Sequence, residues 1–477
     1  MSSTILISSM VMTTTAVSAK TAKEPNYTYC NVNGFGGIDI DDVTTLYDYL
    51  AGSYTPYGSN RNNFIKAADI DKNGVVDDAD LTELIDAYIY RAQNKMDVDG
   101  NGVVNIIDAT AIQVLIAGQN KDLTAKKYLA SDINKDGVVN VIDATVLNQL
   151  LLGCNNVLEP TKVSQEVKNN DVKYRKAYSK YLTSDVLAAM KGCYLIKNDE
   201  FVLEKKEVYF RDSTWLYRYV AARGRSDSGL RVIGTYDLNN KDIVFPSKTD
   251  GGVIVDGVGY GSSRSKGMYL GSSKIFEKNA LGFNFADTGK SDYYGFALNS
   301  IFVPSNYDIE GDALKLNLTL QYVFLSDNVT LHERCFYGDS NLKQIKLPDT
   351  ITKIPISVVS GCESLTYVKI PDSVKEIDTS AFSRTGLSKI IFGKNVEVIK
   401  DSSFQNTPLK EVYVYNPTMT IGPAAFYNDN MITNGYINPN CTFYGYKPST
   451  LLEWLQEKKA DFDEFEGPMV YKFALIK

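Results

Sequence analysis

The chain has 477 residues, a net charge of −7, and 44% hydrophobic against 22% charged residues. That length is too great for one hydrophobic core and sets an expectation of about two to four domains. The acidic balance advertises no basic face for nucleic acid or anionic lipid. The sequence holds one His, His332, which leaves Ser-His-Asp, Cys-His and multi-His zinc chemistry almost nothing to work with. Catalysis here would have to rely on carboxylates, Tyr or Lys.

Residues 1–19 centre on an apolar run (Ile5, Leu6, Ile7, Met10, Val11, Met12) and end in Val17-Ser18-Ala19. This is the pattern of a signal peptide with small residues at its cleavage site. No later segment is apolar for long enough to span a membrane, so the expectation is an exported protein without a membrane span. Six Cys (Cys30, Cys154, Cys193, Cys335, Cys362, Cys441) form no C-x-x-C pair and are read as structural thiols rather than disulfides or metal ligands.

Three twelve-residue segments then repeat one liganding pattern. Side-chain oxygens stand at positions 1, 3, 5, 9 and 12: Asp69, Asp71, Asn73, Asp77 and Asp80; Asp97, Asp99, Asn101, Asn105 and Asp108; Asp132, Asn134, Asp136, Asn140 and Asp143. Position 6 is Gly each time, and Val75, Val103 and Val138 at position 7 offer a backbone carbonyl. With this spacing a loop wraps one Ca2+ in the EF-hand-like manner, closing with a bidentate carboxylate at position 12. A fourth loop, Asn31 to Asp42, keeps Asn31, Asn33, Asp39 and Asp42 but carries Phe35 at position 5. It is expected to bind Ca2+ weakly or not at all.

Each loop is followed by apolar residues at helical spacing: Leu46, Tyr49 and Leu50; Leu84, Ile85 and Tyr88; Ile112, Leu115 and Ile116; Leu147, Leu150 and Leu151. The loop starts at residues 31, 69, 97 and 132 leave two long gaps with a shorter one between them. Each long gap has room for a second short helix, which pairs the first loop with the second (25–92) and the third with the fourth (93–155). The apolar residue at position 8 (Ile38, Val76, Val104, Val139) is placed to join loop to loop through a short strand contact.

Residues 25–155 resemble the dockerin family, duplicated Ca2+-loop-helix segments that bind cohesin domains in bacterial cellulosomes. The resemblance rests on Asp at position 12 of every loop and on Gly-Val-Val-Asn-Ile-Ile-Asp-Ala-Thr (102–110) and Gly-Val-Val-Asn-Val-Ile-Asp-Ala-Thr (137–145). It implies that Ile106, Ile107, Val141 and Ile142, with Gln113 and Asn148 farther along the helices, contact a cohesin. One residue of each adjacent apolar pair is expected to point inward, since both cannot do so from one helix start. Because the first pair departs at Phe35, both a double dockerin and one working copy beside a worn one remain open.

Residues 165–319 read as a β-rich domain of no recognised family. Leu182 to Cys193 has a helical pattern, and antiparallel strands are expected in Lys206–Arg211, Trp215–Val220, Arg231–Tyr236, Asp256–Gly261 and Ala313–Leu318. Trp215, Tyr217, Tyr219, Tyr293 and Tyr294 are sheet core or a sugar-stacking platform. The acids Glu204, Glu207, Asp212, Asp256 and Asp287 would serve a glycosidase only if two of them faced each other across a cleft. Gly257-x-Gly-x-Gly261 has only a superficial likeness to a phosphate loop, because no helix follows it.

From residue 320 a new repeat sets in. Leu342-x-x-Ile345-x-Leu347 recurs at Leu365, Leu387 and Leu409, followed by Ile354, Ile377, Ile399 or Ile421 and then by Val359, Phe382, Phe404 or Phe426, with Phe336 as the earlier member. A period of about 22 to 23 residues is the mark of a solenoid whose units stack because none can bury its own apolar face. Ser360 to Phe382 resembles BspA-type leucine-rich repeats, and Phe443 to Trp454 is similar to the capping segment of that family. The family implies surface recognition, with no catalytic residues to transfer. His332 occupies the repeat turn that Asp378 occupies later and is read as an exposed structural His.

The resulting expectation is a multidomain chain: small all-α dockerin modules, a central β-rich domain, and an α/β leucine-rich-repeat solenoid over 320–477. It is read as a secreted, cell-surface or extracellular cellulosome component that uses Ca2+ to dock onto a cohesin of a scaffoldin. The solenoid would present a surface to plant-cell-wall polysaccharide or to a surface protein. A dockerin-borne glycoside hydrolase with its site in the middle domain, and an adhesin or carbohydrate-binding protein, are the alternatives.

Overall fold

The computed structural model describes residues 27–56, 60–93, 96–119, 123–152, 163–198, 203–204, 207–220, 229–235, 241–259, 281–282, 298–428, 436–437, 440–463 and 472–476. Residues 1–19, with the expected signal-peptide pattern, and Cys154, Gly261, Asp287, Tyr293 and Tyr294 lie outside these residues.

The N-terminal region is helical. Its elements are α1 (Ile40–Leu50), α2 (Arg61–Ala68), α3 (Asp78–Gln93), α4 (Ile106–Ile116), α5 (Ala125–Ser131) and α6 (Val141–Leu151). The short helices α2 and α5 fill the two long gaps between loops. Helix α1 packs on α3, α4 on α6, and α3 on α5. One core gathers Val43, Leu46, Phe64, Leu81, Leu84 and Ile85; a smaller one gathers Val98, Ala109, Ile112, Ala130, Ala144 and Leu147. Helix α5 joins the two, since Leu129 belongs to the first and Ala130 to the second. The first loop also meets the fourth. Thr28 Oγ1 donates to the Gly137 carbonyl at 3.2 Å, and a Cβ on Gly137 would lie 2.9 Å from the Gly36 oxygen, so the approach needs glycine there. The residues at position 8 lie in loop rather than in strand, because this contact runs through left-handed glycines.

Helices α7 (Gln165–Ala177) and α8 (Ser184–Ala189) lead into the strand-rich region. A mixed sheet runs Tyr194–Leu195, Glu207–Arg211, Trp215–Val220, Gly229–Thr235, Gly257–Val258, Asp308–Ile309, Thr330–Leu331. Its first four strands are antiparallel; three of them overlap expected strands, and Tyr194–Leu195 is an addition. Gly257–Val258 instead joins in parallel and starts a parallel ladder. Ala313–Leu318, expected as a strand, is a turn. Leu314 N–H bonds to the Cys335 carbonyl of the following repeat and Leu316 adopts a left-handed φ of 59°, so backbone geometry overrides the Leu alternation.

Beyond it the sheets are parallel and of leucine-rich-repeat type. Asp242–Val244, Ser300–Val303, Tyr322–Leu325 and Gln344–Lys346 form one. Lys389–Phe392, Glu411–Val414, Thr442–Gly445 and Lys472–Leu475 form a second, and two-residue strands at 353–354, 376–377, 398–399 and 420–421 form a third. The ladder therefore continues on the N-terminal side of residue 320. Each repeat turns at two left-handed positions, Asp312, Arg334, Ser357, Ser380 and Ser402 at one and Leu316, Gly338, Gly361, Arg384 and Asn406 at the other. Side chains other than Gly hold such a conformation at a cost on the order of 1–3 kcal/mol, offset by the stacked core. That core includes all four leading Leu residues together with Ile354, Ile377, Ile399, Val359, Phe382, Phe404 and Phe426. Helix α9 (Thr450–Asp463) closes the last turn, with Trp454 Nε1 donating to the Gly422 carbonyl at 3.2 Å. Cys30, Cys193, Cys335, Cys362 and Cys441 are buried free thiols.

Two features of this region give measurable consequences. Phe404 stacks between Phe382 (centroids 5.2 Å) and Phe426 (5.5 Å), so Phe404→Ala is expected to destabilise the fold by about 3–5 kcal/mol, read as a lowered urea midpoint; a change within experimental error would contradict the stacked core. His332 Nε2 lies 2.8 Å from Asp308 Oδ1, a bond that raises the imidazole pKa against an opposing effect of burial. Because the folded value is raised, this pair contributes stability below the ordinary value of about 6.5 and loses it as pH rises through the folded pKa. With one His in the chain, a single ring resonance should titrate above about 6.5 by NMR and fall back in Asp308→Asn.

Candidate functional site

All four loops share one backbone. Positions 4 and 6 are left-handed throughout: Gly34 and Gly36, Lys72 and Gly74, Gly100 and Gly102, Lys135 and Gly137. Position 4 was not singled out in the sequence because Lys occupies it twice. Position 9 caps the following helix and position 12 is the third residue of that helix. Asn105 and Asp108 form a capping box on α4, Asn140 and Asp143 on α6, and Asp39 and Asp42 on α1. The side chains at liganding spacing are thus the ones that start the helices.

The position-12 carboxylates are buried and each collects backbone N–H donors from its own loop. Asp108 accepts from Val98 at 2.7 Å, Asp99 at 3.1 Å and Asn105 at 2.8 Å. Asp143 accepts from Ile133, Asn134 and Asn140 at 2.8, 3.2 and 2.8 Å, and Asp80 from Ile70, Asp71 and Asp77 at 2.5, 3.1 and 2.8 Å. An Asp is short enough to reach these donors. Burial lifts Asp80 and Asp132 above the ordinary carboxylate range and Asp42 to about 7.

The remaining oxygens converge. Carboxylate oxygens of Asp69, Asp71 and Asp80 lie within 4.8 Å of one another, as do those of Asp97, Asp99 and Asp108. In the fourth loop Asp132 accepts from Gly137 N–H at 3.0 Å and Asp136 stands 2.9 Å from Asn134 Nδ2. Like charges this close call for a cation, and an all-oxygen donor set suits Ca2+, so the residues fit the ion. In the first loop Phe35 is exposed at position 5, and Asn31 Oδ1 is buried without a hydrogen-bond partner.

At the starts of α4 and α6 four branched side chains face solvent: Ile106 is 63% exposed, Ile107 55%, Val141 65% and Ile142 52%. The expected inward member of each pair is absent, because Ala109 and Ile112, and Ala144 and Leu147, already fill the core between the two helices. Gln113 is exposed and Asn148 half-buried. In the middle region Tyr217 is buried and donates to Asp212 at 2.6 Å, and Trp215 and Tyr219 pack partly buried against the core. Asp212 also accepts from the Thr214 and Trp215 backbone. Glu207 lies 3.7 Å from Arg218 and Asp256 3.9 Å from Arg231, while Glu204 is exposed.

Comparison with known proteins finds two matched regions in the chain. Residues 95–152 match the dockerin type I domain, and residues 307–433 match the BspA type leucine rich repeat region in six copies. No curated protein matches the chain. Two crystal structures are similar. One, a leucine-rich repeat protein from Bacteroides ovatus, is 14% identical over 55% of this chain and 75% of its own, with a TM-score of 0.22. The other, a leucine rich cell surface protein from Faecalibacterium prausnitzii, is 15% identical over 50% of this chain and 76% of its own, with a TM-score of 0.28. Among the described residues no helix is long and apolar enough to cross a membrane. The chain therefore carries a dockerin type I domain at 95–152 and a BspA-type leucine-rich-repeat region at 307–433.

Proposed function

We propose that this protein docks through its second loop pair onto a cohesin domain of a scaffoldin, as an exported component of a cellulosome-type assembly. The leucine-rich repeats form a solenoid that presents a recognition surface. The observation that carries this reading is the exposure of Ile106, Ile107, Val141 and Ile142 at the starts of two packed helices. Four branched apolar side chains on a rigid support form the kind of patch that a protein partner covers. Gln113 and Asn148, farther along the same helices, supply polar contacts beside them. The near-identity of 102–110 and 137–145 lets the module present almost the same face in two orientations.

Calcium has a structural part in this. Asp97, Asp99, Asn101, Asn105 and Asp108 would hold one ion with the Val103 carbonyl, and Asp132, Asn134, Asp136, Asn140 and Asp143 another with the Val138 carbonyl. Asp69, Asp71, Asn73, Asp77 and Asp80, with the carbonyl of Val75, would hold a third. The loop with Asn31, Asn33, Asp39 and Asp42 offers only two carboxylates at liganding positions and is the weak site. The ion neutralises converging carboxylates that are also helix caps, so its binding is coupled to the order of the helix starts. Extracellular or cell-surface placement is supported by residues 1–19 and by the two matched families.

Calorimetry of the full chain against a panel of cohesins tests this. Binding is expected in Ca2+ and lost in EDTA. It should also be lost in Asp108→Ala/Asp143→Ala, which strips backbone N–H groups of their buried acceptor at about 1–3 kcal/mol each. Ile106→Asp/Val141→Asp should weaken binding by at least about a hundredfold, as expected for apolar anchors, while calcium-induced helicity is retained. Calcium-induced ordering with no cohesin bound would sink the docking role.

A further inference from the structure

The two leucine-rich sheets with the longer strands differ in what covers their outer faces. In Lys389–Phe392, Glu411–Val414 and Thr442–Gly445, burial alternates along each strand, with one side chain in the core and the next toward solvent. In Ser300–Val303 every residue is buried, and in Tyr322–Leu325 all but Tyr322 are. Ile301, Val303, Val323 and Leu325 face the repeat core, whereas Phe302 and Phe324 belong to the same cluster as Leu81, Leu84 and Ile85 of α3. The cover is the first loop pair of this same chain.

The contact is specific. Tyr88 stacks on Phe302 with centroids 4.4 Å apart. Tyr47 meets Tyr367 edge-on at 5.7 Å, and its hydroxyl donates to the Ile345 and Tyr367 carbonyls at 3.3 Å. Asp48 accepts from Gln344 at 2.7 Å, Asp86 from Ser326 at 2.8 Å, and Thr82 Oγ1 donates to Asp349 at 3.1 Å. Asp78 pairs with Lys369. A gap between Tyr47, Asp78, Leu81, Ile345, Lys346 and Tyr367 has a volume of about 20 Å3, room for about one water.

Counted from the start of each loop, Asp78 stands at position 10, Thr82 at 14, Tyr47 at 17, and Asp48 and Asp86 at 18. In the second pair those positions are Ile106 and Val141, Thr110 and Thr145, Gln113 and Asn148, and Val114 and Gln149. Of these only Asn148 is half-buried, and the others are exposed. One helix face is thus committed inside the molecule in the first pair and open in the second. We infer that the first loop pair is docked through α1 and α3 onto the outer face of the sheet holding Phe302 and Phe324, so that the chain offers one external docking face rather than two. The intrachain docking stands on the contacts above; univalence rests on the docking role proposed for the second pair.

The full chain carrying Thr82→Cys/Asp349→Cys, oxidised mildly and mapped by mass spectrometry, should give the 82–349 linked peptide in most chains. Thr110→Cys/Asp349→Cys, at the matching position of the second pair, should give none. Absence of the 82–349 link, or a link from position 110, overturns the intrachain docking. Titration of the wild-type chain with a bound cohesin should reach one per chain, and two per chain overturns univalence. If no cohesin binds, the proposed function fails while the cross-links still decide the internal contact.

Discussion

A parallel sheet whose strands are apolar on both faces is stable only when both faces are kept from water. Ser300–Val303 and Tyr322–Leu325 impose that constraint here, and the rest of the molecule is arranged around it. The inner face is covered by the stacking of repeats, none of which could bury its own Leu and Phe residues alone. The outer face is covered by α1 and α3. Those helices are held at the right height by aromatic contacts, Tyr88 on Phe302 and Tyr47 on Tyr367, and at the right register by a row of short polar bonds. Farther along, burial alternates in Lys389–Phe392 and Glu411–Val414, and the outward Lys389, Ile391, Glu411 and Tyr413 are exposed or half-buried. Lys389 lies over the Tyr413 ring at 4.8 Å, and Tyr413 stacks on Tyr444 at 4.2 Å. These rings stack along the sheet and are half-buried.

The loops obey a second economy. Position 12 is an Asp in each, and its short side chain accepts the N–H groups of positions 2, 3 and 9 in the three regular loops. Position 9 in turn caps the helix that position 12 begins. A loop of this kind cannot be loosened without loosening its helix. This explains why the first loop keeps the same left-handed turns and the same cap although it has Phe35 among its liganding positions. Its backbone is needed for the contact with Gly137 and for placing α1 on the sheet, whatever its affinity for a cation.

The buried Arg231 shows how the mixed sheet is tied to the ladder that follows it. Its guanidinium lies 2.9 Å from Asp308 and 3.2 Å from Glu310, across the narrow strand Gly257–Val258. Gly257 has no side chain to block that reach; a Cβ there would collide with the Asp308 backbone. The glycines of 257–261 that resemble a phosphate loop in sequence include one whose place here is structural.

Periodicity and spacing alone determined a good deal. Twelve-residue oxygen patterns located the loops and the helices after them, because capping a helix from such a loop demands particular side chains at fixed positions. A Leu and Phe period located the repeats, because each unit must present its apolar residues at the same height. What sequence could not decide was which surface meets which. Ile106 and Asp78 hold the same position in their loops, and only packing makes one exposed and the other an ion-pair partner of Lys369. Ala313–Leu318 alternates like a strand, yet the hydrogen bonds of its neighbouring repeat bend it into a turn. Nothing in the local sequence around Phe302 and Phe324 tells that α3 is laid against them. Local patterns record what a segment needs to bury or bind; the partner that satisfies the need lies far away in the chain, and tertiary structure alone supplies it.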